Sequence, residues 1–255
     1  MCLTGLLVAA SAQPDPLAQL DEALRRAAVA EYRADYEATT VVSRQGQPHT
    51  EVRRHVVTQA GPRRKAETYV HGIVLLQSVL QTKEGLLLCA YAEDPDRPQC
   101  LQAAGGASGE ASPDALRYAI AQGLVKLQVS ESSAQVGQMQ RPCSQFTYSM
   151  HVDQLTPDTL KGLLTAAWPQ QQFTDVTPVP SSGIQSLTGA FCLDEELGIP
   201  LTMTSSLRAQ TGDPAQPAVL TVETTQALTW LVLDPLLMDE DFAPPAGADV
   251  VQANQ

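Results

Sequence analysis

The sequence predicts an α+β fold in which an antiparallel sheet carries the chain and three helices interrupt it. Three observations predict this. Successive runs alternate apolar and polar residues with a period of two, which is the pattern of half-buried strands. Short turn-forming stretches join many of these runs, and strands joined by hairpins are antiparallel. An N-cap residue followed by proline opens a helical stripe three times over, at Asp15-Pro16, Ser112-Pro113 and Thr156-Pro157.

Residues 1–12 read as the back half of a secretion signal. Leu3 to Ala10 is apolar, and Ala10-Ser11-Ala12 fits a small-residue cleavage site. The expected domains are therefore a signal remnant over 1–12 and a single folded unit over 13–255. A disordered N-terminus and a lipid-bearing Cys2 are the alternatives for this end. Asp15 and Pro16 then start the first helix, with Leu17, Leu20, Leu24, Ala27 and Ala28 as its apolar stripe. From Tyr32 the period changes to two, and Tyr32, Ala34, Tyr36, Ala38, Thr40 and Val42 line one face of a strand. Turns at Gln45-Gly46 and Ala60-Gly61 lead into Glu51 to Gln59 and then Arg63 to Val70. Ile73 to Leu80 and Glu84 to Tyr91 continue the meander. The former is apolar on both faces, which implies cover on both.

Gly105 to Gly109 is a loop. The second helix follows Ser112-Pro113-Asp114 with Leu116, Ile120, Leu124 and Leu127 as its stripe. The third follows Thr156-Pro157-Asp158 with Leu160, Leu163, Leu164 and Ala167, and Trp168-Pro169 ends it. Between them Phe146, Tyr148, Met150 and Val152 share one strand face, opposite Cys143, Gln145 and Thr147. Leu187, Phe191 and Leu193 share a face, with Cys192 opposite. Ile199, Leu201, Met203 and Leu207 repeat the pattern. Leu207 to Gln216 reads as a turn region, and Ala218 to Leu233 as the last long strand.

Without Cys2 there remain Cys89, Cys100, Cys143 and Cys192, which allow three pairings. Cys89 with Cys100 and Cys143 with Cys192 is the favoured set, and buried free thiols are the alternative. Closing loops of about a dozen and about fifty residues is worth roughly 3 and 4 kcal/mol in the chain-entropy picture. Cystines point to an exported protein.

Across its 255 residues the chain carries a net charge of -12, with a pI near 4.6. Nucleic acid, whose phosphates need Lys and Arg, is thereby excluded as a partner, and anionic lipid headgroups are not attracted. No run is long and apolar enough for a membrane span. The nucleophile elbow, zinc-protease, phosphate-loop and dinucleotide motifs are all missing, so no enzyme activity, cofactor or metal is expected. His49, His55, His71 and His151 read as surface residues. Asp194, Glu195 and Glu196 read as a solvated hairpin tip, with paired carboxylates for acid-base work as the alternative, and Asp239, Glu240 and Asp241 read as another solvated acidic cluster. Arg63-Arg64-Lys65 reads as a solvated strand end or a partner patch.

The hairpin Cys192…Asp194…Gly198-Ile199-Pro200-Leu201, together with Phe242-x-x-Pro245 near the C-terminus, resembles the LolA/LolB-like periplasmic lipoprotein carriers, a superfamily that includes RseB-like sensors. The resemblance implies a strongly curved, unclosed half-barrel with helices packed on its concave side. It further implies an apolar cavity for a lipid or an acylated protein, in the periplasm or elsewhere outside the cytoplasm. The candidate lining is Tyr32, Tyr36, Ile73, Leu75, Phe146, Tyr148, Met203 and Trp230, with plain core as the other reading of each. An RseB-like module that binds an envelope protein partner is the alternative function.

Overall fold

The computed structural model describes residues 15–82, 85–91, 97–104, 119–150, 184–211 and 218–252. The expected signal stretch, the expected third helix and the start of the expected second helix lie outside these residues. The described chain is dominated by one sheet of twelve strands in the order β12-β6-β5-β4-β3-β2-β1-β11-β10-β9-β8-β7. The strands are β1 Glu31–Arg44, β2 Gln47–Ala60, β3 Arg63–Val70, β4 Val74–Thr82, β5 Gly85–Ala90, β6 Gln99–Ala104, β7 Val125–Val136, β8 Met139–Met150, β9 Ile184–Asp194, β10 Pro200–Thr211, β11 Ala218–Leu233 and β12 Asp249–Gln252. β12 joins β6 in parallel; the other neighbours pair antiparallel. The sheet does not close, since β12 and β7 stand at its two ends.

Helix α1, Pro16–Val29, begins as expected: Asp15 Oδ1 accepts from Leu17 N at 3.1 Å. Its buried stripe is Leu20, Ala23 and Ala27. Leu24 and Ala28, expected inside, are exposed, because the helix lies close against the sheet along its small residues.

Four other expectations need correction. Ile73 belongs to the β3–β4 turn, where His71 and Gly72 take φ of 53° and 75°, and it is 82 % exposed. Leu127 sits in β7 rather than on a helix, although 119–121 is helical. β10 runs on through Leu207 to Thr211 where a turn was expected. β6 and β12 had no counterpart in the sequence reading.

The sheet is rolled at its β7 end. Neighbouring strands lie about 4.8 Å apart, so β7 in a flat sheet would be far from β10 and β11, yet it packs against both. On one side of this end, Val125, Phe146, Tyr148, Met150, Leu187, Phe191 and Met203 cluster with Leu20 and Ala23 of α1. Phe146 and Phe191, paired in the β8–β9 ladder, stack with centroids 5.2 Å apart. The opposite side is buried as well. Ala134, Val136, Cys143 and Cys192 meet Tyr32, Ala34, Tyr36, Val57 and Leu228 in a second cluster.

Both cystines are formed, Cys89–Cys100 between β5 and β6 and Cys143–Cys192 between β8 and β9. The first lies with Leu80 and Leu87 in a cluster that Tyr91 and Ala248 cover. The chain after β11 reaches this part of the sheet by way of Phe242. That ring is buried beneath the Arg63 guanidinium, 4.6 Å from its centroid. Arg63 also pairs with Asp239 at 2.5 Å, and Lys65 pairs with Glu67 at 2.9 Å. The basic run is therefore engaged within the chain.

His55 in β2 is not the surface residue expected. It is half-buried, with Nδ1 3.1 Å from Thr68 Oγ1. Burial, and then the Arg53 charge, push its pKa down from 6.5 to about 4. The folded state thus refuses a proton that the unfolded chain accepts below 6.5. This contribution to stability is present above that pH and is lost as pH falls towards 4, by about 3 kcal/mol at most. Denaturant titrations at pH 7 and 4.5 should show a smaller loss for His55→Gln than for the wild type.

Candidate functional site

The eight residues expected to line a cavity fall into separate places. Tyr32 and Tyr36 are buried in one cluster, where Tyr32 Oη donates to Gln59 Oε1 at 3.3 Å. Burial in this cluster, with Tyr32 close by, pushes the Tyr36 phenol well above its ordinary pKa. Phe146, Tyr148 and Met203 are buried in the other cluster, and the Tyr148 hydroxyl comes so close to Gly189 that a Cβ there would strike it. Leu75 is half-buried. Trp230 pairs with Asp35, whose side alternates with that of Ala34 and Tyr36. It is exposed there, on the face away from the two tyrosines. The β7 half of the sheet is thus occupied by the protein's own side chains.

The other half differs. Following the ladder pairs across the sheet gives one continuous row of registered residues: Leu231, Ala34, Val57, Ala66, Val79, Leu88, Leu101 and Val251. Directly paired residues point to the same face, so eight strands contribute an unbroken apolar strip. Its inner members Leu231, Ala34, Val57 and Ala66 belong to or pack on the Tyr32 cluster. Further out the strip opens. Val79 is buried, Leu88 is half-buried, Leu101 is 47 % exposed and Val251 is 58 % exposed.

Polar residues border it. One row further along the strands, Gln77 pairs with Ala90 and Ala90 with Gln99; on the opposite side Gln81 pairs with Leu86. From Ala66 to Val251 the strip crosses four strand spacings, about 19 Å. That is the reach of a long fatty acyl chain. The strip can bury an extended apolar group laid across the strands, with glutamine amides along its edges. No helix among the described residues is long and apolar enough to cross a membrane.

No local stretch of the sequence marks this site. Leu88 lies in a run already read as a strand, but Leu101 and Val251 belong to strands of six and four residues. Such runs are too short for their alternation to stand out. The Cys89–Cys100 pair was the available signal, because bridged cysteines in register bring Leu88 beside Leu101.

No family model matches the sequence, and no curated protein matches it. Among solved structures it is similar to MucB, with a TM-score of 0.36 and 16% identity over 90% of this chain and 64% of that one. The complex of MucB with MucA(peri) gives 0.41 and 14%, over 93% and 62%. A LolA superfamily protein from Nitrosomonas europaea gives 0.31 and 9%, over 88% and 97%. The chain is similar to LolA-superfamily structures. It spans about 64% of the length of MucB.

Proposed function

We propose that this protein works outside the cytoplasm as a non-catalytic holder of an acyl-bearing ligand, a lipid or an acylated protein. The ligand's apolar chain lies along the Ala66–Val79–Leu88–Leu101–Val251 strip. The observation that carries this reading is the strip itself. It is apolar at every registered position and, from Val79 outward, increasingly exposed towards β12. Each ligand methylene taken from water onto such a surface contributes about 0.8 kcal/mol, so a long chain binds without any charged contact. The two cystines support an oxidising compartment. The net charge of -12 supports a carrier that stays off anionic surfaces.

A fluorescent fatty acid added to delipidated protein tests this directly. Leu101→Glu and Val251→Glu place a charge on the exposed end of the strip, where the fold has little to lose. Each is expected to weaken binding at least tenfold while unfolding stability stays within about 0.5 kcal/mol of the wild type. Wild-type protein that does not bind the probe, or glutamate variants that bind it unchanged, would rule the proposal out.

A further inference from the structure

The strip fixes where an acyl chain lies, and the polar groups at its buried end bear on which end of the ligand points inward. Three registered rows meet there on one face of the sheet. The strip itself runs through Ala34, Val57 and Ala66. On one side of it Tyr36 pairs with His55, and His55 with Thr68. On the other side Tyr32 pairs with Gln59, Gln59 with Arg64, and Arg64 with Gln81. Residues two apart on a strand point the same way. Tyr36 and Arg64 therefore flank the Val57–Ala66 pair from opposite sides.

Tyr36 is 1 % exposed. Its hydroxyl is closed off from solvent and has no hydrogen-bond partner among the described residues. A buried hydroxyl in that state has lost its water and gained nothing in exchange. The neighbouring phenol differs, since Tyr32 Oη donates to Gln59 Oε1 at 3.3 Å. The Arg64 guanidinium is near enough to act on Tyr36: burial, then Tyr32, push the phenol pKa up, and the Arg64 charge pulls it down. Arg64 and Ala66 are half-buried, so this corner adjoins the part of the strip that opens.

The other charges near the corner are matched within the chain. Asp194, which also acts on Tyr36, gives both carboxylate oxygens to Arg141. Arg53 pairs with Glu51 at 2.8 Å. Arg63 and Lys65 point to the opposite face and pair with Asp239 and Glu67. His55, with its pKa at about 4, is uncharged at neutral pH.

We propose that Arg64 and the Tyr36 hydroxyl together receive the carboxylate of a free fatty acid, an inference that rests on the acyl-strip reading. The head lies inward beside Ala66 and the methyl end points towards Val251. A carboxylate accepts from a guanidinium and a phenol at once, through charge-assisted bonds that an alcohol, ester or amide head makes only weakly.

The test compares hexadecanoic acid with hexadecan-1-ol, each displacing a neutral fluorescent lipid from the delipidated full chain. The acid is expected to bind at least tenfold tighter than the alcohol. That preference should fall to near one in Tyr36→Phe and in Arg64→Gln, and Arg64→Lys should keep part of it. The urea midpoint of Tyr36→Phe should be no lower than that of the wild type, because the hydroxyl it removes has no partner in the fold. A stearic acid spin-labelled near its methyl end should broaden the methyl NMR signals of Leu101 and Val251 more than that of Val57. Equal binding of acid and alcohol, or a preference that Tyr36→Phe leaves intact, would overturn the carboxylate site while leaving the strip standing. Stronger broadening at Val57 would overturn the direction of the chain. Binding of neither compound would remove the strip reading, and this inference with it.

Discussion

Gly198→Ala is expected to detach α1 from the sheet and to cost about 3 kcal/mol or more. Gly198 closes the β9–β10 hairpin at φ 71°, with its N donating to Asp194 O at 2.8 Å. A Cβ there would run into the carbonyl oxygen and carbon of Ala23 and crowd the nitrogen of Ala27 at 3.1 Å. These are backbone atoms of the helix, so no rotamer change relieves the clash and trimming Ala23 to glycine gives no rescue. Gly46 and Gly61 also have positive φ, but a Cβ at either meets nothing within 4 Å. Alanine at those two turns should cost about 1 kcal/mol. Urea midpoints for the three variants, with limited proteolysis of the α1 segment, separate a steric clash from simple φ strain.

Asp194→Ala is expected to cost about 3–5 kcal/mol, the usual penalty for removing one member of a buried ion pair. Its carboxylate is only 1 % exposed. Arg141 Nε donates to Oδ2 at 2.6 Å and Arg141 Nη2 to Oδ1 at 3.1 Å. Glu196 N and Leu197 N donate to the same Oδ1 at 3.0 and 2.8 Å. One side chain thus ties β8 to the turn on which α1 rests, next to the Cys143–Cys192 bridge. The pair also holds the Arg141 guanidinium above its ordinary pKa, through the Asp194 hydrogen bonds first. Asp194→Asn should fall between wild type and alanine, because it keeps the acceptor for the turn and loses the charge. Arg141→Leu/Asp194→Leu should be less damaging than Asp194→Ala, since it strands no charge. Denaturant midpoints check the order.

How far the sequence could be read depended on how local each signal is. Helix α1, the strands from Tyr32 to Val70 and the β9–β10 turn carry their information within a few residues, as capping, alternation and a glycine. They were legible. Asp194 was expected in solvent, and the three acidic residues in a row do look that way. Its burial depends on Arg141, which lies 53 positions earlier. Only the β8–β9 register brings the two together. Leu127 satisfied a helical spacing by chance, and its pairing with Tyr148 across β7–β8 decides for strand. The acyl strip is the extreme case. Each strand contributes one residue, so no stretch of sequence contains it and only the full set of registers assembles it. Of the aromatic residues chosen as lining, Tyr32, Tyr36, Phe146 and Tyr148 are packed in the two clusters of the rolled half, whereas Trp230 is exposed.

The placement of the ligand can be read most directly with a photoreactive fatty acid, crosslinked to the native protein and located by peptide mass mapping. Adducts should concentrate on peptides carrying Leu88, Leu101 and Val251 and fade with Leu101→Glu. Adducts scattered over the outer face around Trp230, or a yield that Leu101→Glu leaves unchanged, would contradict an acyl chain held across β3 to β12.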